Sequence, residues 1–283
     1  MTDPIKAEVL ADQFRTAGSA ADFLAIWLNH PLLSEANQKI LDDYYRNFGR
    51  MCSPRIRYWY NRQLAEAEKL IRSNQRLRVL EIGVGTGTEF LWWAFLGADV
   101  TGIDALQHCL DVVAERRTIL EGAMHTQLNC GLHLKQITEF KDDAGFDLIW
   151  LEQAFHRLEP RTEALKRISA LLRPGGKVIF SEANALNPLL QLLLNASAGS
   201  KKVLTVETAQ DKLMWGNERI FSRGSLARLL KAVGIDQESS SYYRMFPASS
   251  IFDVFFGIER SIETPWLAPI YTHYNLVGRK AAK

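Results

Sequence analysis

Apolar residues in the first 76 positions recur at helical spacing, and the pattern predicts helices throughout this stretch. Ser34-Glu-Ala-Asn marks one helix start. Ser53-Pro54 marks another, with a capping residue followed by proline in the tolerated first position. Beyond Ser53, the residues Ile56, Trp59, Tyr60, Leu64 and Leu70 share one helix face. From Leu77 the period changes. Leu77–Ile82 reads as a short apolar strand that stops at Gly83-Val-Gly-Thr-Gly87, and an apolar helix starts near Thr88. A strand at Asp99–Asp104, a helix at Leu106–Leu120 and a weaker strand at Gly131–Ile137 follow. Next come a strand at Phe146–Leu151, a helix at Pro160–Leu172, a turn at Arg173–Gly176 and a strand at Lys177–Glu182. Strands and helices that alternate through short connections predict an α/β fold with a parallel sheet covered on both faces. Near the C-terminus, strands at Ser240–Phe246 and Tyr271–Arg279 flank a helix at Ser250–Ser261, an order that suits an antiparallel pair at one sheet edge.

No Pro/Gly/Ser-rich linker follows the N-terminal helices, so residues 1–76 are expected to pack as a helical cap on a domain spanning 77–283. Within that domain, residues 183–221 form an insertion that reads as a helical lid. The longest apolar runs, Phe90–Leu96 and Leu189–Leu194, fall well short of the roughly 18 residues of a membrane span. The N-terminus lacks the basic-then-apolar order of a secretory signal, and a cytoplasmic protein is expected. With 47% apolar and 23% charged residues the chain can bury a sizeable core. Lys plus Arg is 34 and Asp plus Glu is 32, a net charge of +2 that argues against nucleic-acid binding. Cys52, Cys109 and Cys130 suggest reduced, mostly buried thiols rather than a disulfide framework. His30, His108, His125, His133 and His273 show no metal-ligand spacing, and no metal is expected.

The chemistry concentrates in Glu81-Ile-Gly83-Val-Gly85-Thr-Gly87, where the first strand turns into a helix. Glycines there permit unusual backbone angles and let a ligand approach the main chain. Asp104 ends the next strand, where a carboxylate can accept both hydroxyls of a ribose. Together they predict a nucleotide-like ligand at the carboxyl ends of the strands. The dinucleotide fingerprint requires glycine at its sixth position, which here is Thr88, so a nicotinamide oxidoreductase is disfavoured.

The acid before the glycines, Asp104, the Phe146-Asp-Leu-Ile strand and the Leu172-Arg-Pro-Gly-Gly176 turn together resemble the class I S-adenosylmethionine-dependent methyltransferases. Ala154-Phe-His156-Arg-Leu158 and the stretch Glu182–Pro188 resemble the small-molecule branch called methyltransferase type 11. The resemblance implies a Rossmann-like sheet, mostly parallel with an antiparallel strand near the C-terminus, and S-adenosylmethionine as cofactor. It assigns Glu81 to the amino-acid end of the cofactor, and Gly83 and Gly85 to close backbone approach. Gly87 then serves compact strand–helix packing, Asp104 the ribose and Ala105 the adenine. Ile137, Thr138 and Gln153 complete the expected cofactor contacts. Trp92 and Trp93 lie in a helix facing the sheet and read as core.

Methyl transfer to a hydroxyl needs a base, and His156 is the first candidate, since imidazole titrates near neutrality. Glu152, nearer the end of the fourth strand, is the second. The acceptor pocket is expected from the N-terminal residues Tyr44, Tyr45, Arg50, Tyr58 and Tyr60, and from the insertion with its leucine run and Met214–Arg219. These residues suit a small, apolar or aromatic acceptor methylated at oxygen, with carbon and nitrogen as alternatives. The leucine run also suits a membrane-surface or homodimer contact. Two rival readings stand: a non-catalytic cofactor-binding protein acting as a regulatory or structural partner, and a nucleic-acid methyltransferase. The latter usually shows Asn or Asp before Pro-Pro-aromatic after strand four, where this chain has Leu151-Glu-Gln-Ala154.

Overall fold

The computed structural model describes residues 4–74, 76–198, 203–207, 212–216, 219–262 and 265–282. Four helices come first: α1 (Pro4–Thr16), α2 (Ala20–Asn29), α3 (Glu35–Tyr44) and α4 (Pro54–Ser73), with a 3-10 segment at Arg46–Met51. Ser53 caps α4 as its sequence suggests, accepting from the Ile56 N–H at 3.2 Å. Ser34 stands at the start of α3 but leaves it uncapped. Its N–H and its hydroxyl both donate to Glu115, whose carboxylate is the stronger acceptor.

Strands and helices then alternate: β1 (Arg78–Ile82), α5 (Thr88–Phe95), β2 (Asp99–Asp104), α6 (Gln107–Met124), β3 (Cys130–Leu134), β4 (Phe146–Glu152), α7 (Arg161–Leu171) and β5 (Leu172–Ala183). After them come α8 (Pro188–Ala198), β6 (Val203–Glu207), β7 (Lys212–Gly216), α9 (Arg223–Lys231), β8 (Ile235–Tyr243), α10 (Phe256–Ser261) and β9 (His273–Lys280). Seven strands form one sheet in the order β3-β2-β1-β4-β5-β9-β8. The pairs β2–β3, β1–β4 and β4–β5 are parallel, whereas β9 runs antiparallel to both β5 and β8. The parallel part is what the alternation of elements predicts, and the whole is the Rossmann-like sheet with an antiparallel strand near the C-terminus that the resemblance implies.

Four local features differ from the sequence expectation. The Arg173–Gly176 turn is absorbed into β5 as a bulge: Phe146 pairs with Leu172 but Leu148 pairs with Lys177. Arg173 holds the bulge by pairing with Asp147 at 2.8 Å. The insertion after β5 contains the helix α8, but β6 and β7 beyond it pair antiparallel; Val203-Leu-Thr-Val206 has the β-branched content that favours strands. The helix expected over Ser250–Ser261 is α10 preceded by a 3-10 segment, Ser250–Phe255. Finally, β3 stops at Leu134, so Ile137 and Thr138 lie in the turn that follows it. Asn217 and Glu218 of the Met214–Arg219 stretch lie outside the described residues.

The chain divides into two compact units. One gathers the N-terminal helices with Val84–Leu134 and Ala248–Val254. Its core includes Phe23, Trp27, Trp92 and Trp93, all fully buried, and each such side chain contributes about 1.5–3 kcal/mol through removal from water. Trp92 and Trp93 are therefore core residues. The second unit gathers Leu77–Gly83, Lys135–Pro247 and Phe255–Lys283, around Leu148, Ile149, Phe155, Phe180 and Leu276. Among the described residues, no helix is long and apolar enough to cross a membrane. All three cysteines are free, and Cys52, expected with the others to be mostly buried, is exposed. Burial pushes the Cys109 thiol up to about 12 and the Cys130 thiol up to about 11, which leaves both unreactive near neutrality.

Candidate active site

In the first unit the glycine loop is built for close approach. Gly85 and Gly87 have φ of 54° and 78°, left-handed angles that side chains rarely adopt. A Cβ on Gly87 would lie 2.6 Å from Val113 of α6, so this glycine brings the loop against the helix. Asp104 ends β2 and reaches back to the loop, accepting from the Gly85 N–H at 2.9 Å and the Leu106 N–H at 2.9 Å. Burial pushes its pKa up, against the pull of the Gly85, Leu106 and Ala105 amides and the His108 charge. Ala105, next in the chain, is half-buried.

Beneath this loop lies a group the sequence reading did not single out. Arg116 on α6 is fully buried, donates from Nη1 to the Thr86 carbonyl at 2.6 Å and to Thr88 Oγ1 at 2.9 Å, and lies 4.6 Å from the centre of the Trp27 ring. Burial lowers its pKa to about 10, so it stays charged near neutrality. Tyr45 donates to the same Thr88 oxygen at 2.8 Å, and Tyr60 donates to Glu89. These two tyrosines, expected in an acceptor pocket, are buried supports of the loop. Thr86 is also fully buried, and its hydroxyl has no hydrogen-bond partner among the described residues. A readable signal for Arg116 existed. It interrupts an apolar stripe of α6 formed by Cys109, Val112, Val113 and Leu120.

The second unit holds the other candidates. Glu81 is buried in β1, opposite Trp150 of β4. Gly83 follows with φ of 77°, and a Cβ there would lie 2.8 Å from that of Ala154. Gln153, just past β4, is a non-glycine residue at φ 46°, and its buried Nε2 lacks a partner among the described residues. Backbone strain of this kind, together with an orphaned polar atom, is common at ligand sites. Glu152 is the half-buried last residue of β4, in register with Ser181. Ser181 in turn hydrogen-bonds the Tyr243 hydroxyl at 2.7 Å. Burial, together with the Glu152 and Glu182 charges, pushes the Tyr243 phenol up, so it is a neutral group.

His156 is 3% exposed and engaged on both ring nitrogens. Nδ1 donates to Glu182 Oε2 at 2.9 Å, and Nε2 accepts from Arg157 Nε at 3.0 Å. Glu182 Oε1 also accepts from the Ala154 and Phe155 N–H groups, at 3.1 and 2.8 Å. Glu182 is thus the pivot of the turn after β4, a role that no sequence spacing suggested. Among the described residues, no cluster of His, Cys, Asp and Glu is arranged to hold a metal ion.

The methyltransferase-domain family matches residues 50–239 of the chain. The ubiquinone biosynthesis O-methyltransferase of Aeromonas salmonicida (strain A449) is 24% identical over 194 residues, 68% of this chain and 76% of that protein. The protein of that name from Coxiella burnetii (strain RSA 493 / Nine Mile phase I) is 32% identical over 107 residues, 38% of this chain. There the matched part spans 43% of the relative's length, less than half. Two solved structures share the fold. The magnesium protoporphyrin IX methyltransferase of Synechocystis PCC 6803, holding S-adenosylhomocysteine, superposes with a TM-score of 0.55 at 13% identity, over 87% of this chain and 96% of that one. An N-methyltransferase from Bradyrhizobium japonicum, also with S-adenosylhomocysteine, gives 0.53 at 14% identity, over 87% and 99%.

Proposed function

The chain belongs to the class I S-adenosylmethionine-dependent methyltransferases, and we propose that it methylates an oxygen of a small, apolar or aromatic acceptor. The observation that carries the cofactor site is Asp104. An ionised carboxylate offers about four acceptor positions; the backbone amides around Asp104 do not fill them, which leaves capacity for ribose hydroxyls. Gly83 and Gly85 are held to glycine by the close packing of Ala154 and Tyr44; their approach to a ligand is what the family resemblance implies. In this reading Glu81 and these glycines hold the amino-acid end, and Ala105, Ile137 and Thr138 line the adenine. The orphaned Gln153 amide supplies a further contact.

When bound, the cofactor supplies an electrophilic methyl group on a sulfonium. The protein's share is to hold the acceptor in line, exclude water and take the proton that a hydroxyl loses. We assign proton removal to Glu152, half-buried at the end of β4. His156, bonded on both nitrogens, acts as a positioning residue through Glu182. Oxygen as the methylated atom is favoured by the O-methyltransferase names of the relatives. An apolar acceptor is favoured by α8, whose Leu189, Leu192 and Leu193 are exposed. The nearly balanced charge favours a small molecule over a nucleic acid.

The test is incubation with labelled S-adenosylmethionine and a panel of phenols, carboxylic acids and lipophilic quinols, with mass spectrometry of the products. Methylation at oxygen in the native protein and none with Asp104→Ala supports the reading. Methylation only at nitrogen, or on no member of the panel, refutes it. Glu152→Gln should lower turnover about 100-fold, within the usual range for a general base, with unchanged cofactor affinity. Turnover equal to the native rate would remove Glu152 from that role.

A further inference from the structure

The peptide groups of the glycine loop form part of one chain of hydrogen bonds. At one end, Arg116 Nη1 donates to the Thr86 carbonyl at 2.6 Å. The N–H of that same peptide group, on Gly87, donates to the Val84 carbonyl at 2.9 Å. The N–H of the Val84 peptide group, on Gly85, donates in turn to Asp104 Oδ2 at 2.9 Å. A buried guanidinium and the Asp104 carboxylate are thus joined through two peptide groups. Both peptide dipoles run the same way, with C=O toward the cation and N–H toward the carboxylate. Each charge therefore polarises the chain in the sense that favours the other.

As a core residue Arg116 is poorly matched. It is fully buried, and its Nε and Nη2 groups have no hydrogen-bond partner among the described residues. Unpaired donors on a buried charge cost stability, and an apolar side chain of similar volume is often tolerated in such a place. What the residue contributes lies with its paired nitrogen, Nη1, and the chain that starts there.

We infer that Arg116 is a positioning residue for cofactor binding, acting on Asp104 through the Thr86–Gly87 and Val84–Gly85 peptide groups. The inference rests on the reading that Asp104 receives the ribose of the cofactor. The cation fixes the direction of the amide chain, which keeps the Gly85 N–H on Oδ2 and favours the ionised, oriented carboxylate. Other groups face the two ends. His108 and Cys109, on α6 like Arg116 itself, interact electrostatically with Asp104. Tyr45 of α3, Tyr60 of α4 and Glu89 of α5 interact in the same way with Arg116. The chain between Arg116 and Asp104 runs through backbone alone.

Calorimetry of S-adenosylhomocysteine binding to the full chain tests this with a double-mutant cycle of Arg116→Met and Asp104→Asn. Arg116→Met should weaken binding about tenfold on its own, a mid-range coupling between interacting residues. Beside Asp104→Asn it should weaken binding about twofold or less. The acid limb of affinity should also move to higher pH in Arg116→Met, because the carboxylate loses a charge that favours its ionisation. Arg116→Lys keeps a cationic donor and should restore the native limb. A loop that has only lost packing would weaken binding equally in both backgrounds and leave the limb in place; either result overturns the inference. If Arg116→Met does not fold, Arg116→Lys and Arg116→Gln carry the cycle, with the coupling to Asp104 kept by Lys and lost by Gln; equal coupling in the two overturns the inference. If Asp104→Asn alone leaves binding unchanged, the cofactor site itself fails, and the role of Arg116 fails with it. Weakened binding with additive changes leaves the site standing and removes Arg116 from it.

Discussion

Asp104 and Glu182 are both carboxylates near the C-terminal ends of strands, and they are used in opposite ways. Asp104 ends β2 and accepts backbone N–H groups from Gly85 and Leu106, with acceptor capacity to spare. Glu182, next to the last residue of β5, is 2% exposed; one oxygen takes two backbone N–H groups and the other takes His156. The first can receive a ligand without losing its own bonds. The second could do so only by releasing buried donors, which costs about 1–3 kcal/mol for each group left unpaired. Position at a strand end therefore does not by itself make a carboxylate functional. What separates the two is how much of each one's hydrogen-bonding capacity the protein already uses.

The largest effect is expected at Glu182. Glu182→Ala strands two buried N–H groups and His156, and should lower the unfolding free energy by about 3 kcal/mol or more, read from urea denaturation. A variant as stable as the native protein but unable to bind S-adenosylhomocysteine would reverse the two roles. Asp104→Asn should weaken S-adenosylhomocysteine about tenfold for the loss of charge-assisted acceptors and should cost less stability than Glu182→Ala, because the amide oxygen keeps one of the two backbone N–H bonds. Gly85→Ala probes the loop between ligand and support. The left-handed backbone at φ 54° and the 2.7 Å approach to Tyr44 predict a loss of about 1–2 kcal/mol. Part of that loss should be recovered when Tyr44→Ala is added; full additivity of the two changes would show that they do not touch.

The smallest effect is one of pH. Burial raises the folded-state pKa of Asp104 above its ordinary value of 3.8. Folding thereby favours the protonated form. The associated stability is fully present below 3.8 and is lost as pH rises through the raised value. In the proposed cofactor site affinity should run the other way, because the ionised form is the one assigned to accept the ribose hydroxyls. Titration of S-adenosylhomocysteine binding should show affinity falling on acidification, with its midpoint above the ordinary carboxylate value. The same titration on Asp104→Asn should lack that limb; its persistence would assign the limb to another group.

Legibility followed the same division. Gly83, Gly85, Gly87 and Asp104 could be read from the sequence because a strand-to-helix bend imposes its own requirement for glycine, and the carboxylate ends the next strand. His156 is legible as a residue just past the fourth strand, but its bond to Glu182 spans 26 residues and depends on the β4–β5 register. The hydroxyl of Tyr45 bonds Thr88 across 43 residues, beyond any local pattern. The Arg173–Gly176 segment shows the limit from the other side. Its residues signal a turn, yet pairing on both sides and the Arg173–Asp147 contact hold it within β5.

By itself, the sequence determined the alternation of strands and helices, the glycine loop and the carboxylate two elements later. Each of these rests on interactions between residues close along the chain or on a periodic apolar pattern. Only the tertiary structure decided which partners the polar groups find within the protein. It paired His156 with Glu182, put Arg116 under the loop and laid Tyr44 on Gly85. Those outcomes depend on burial and on contacts between distant segments, because a buried donor or acceptor must find its partner wherever the fold brings one.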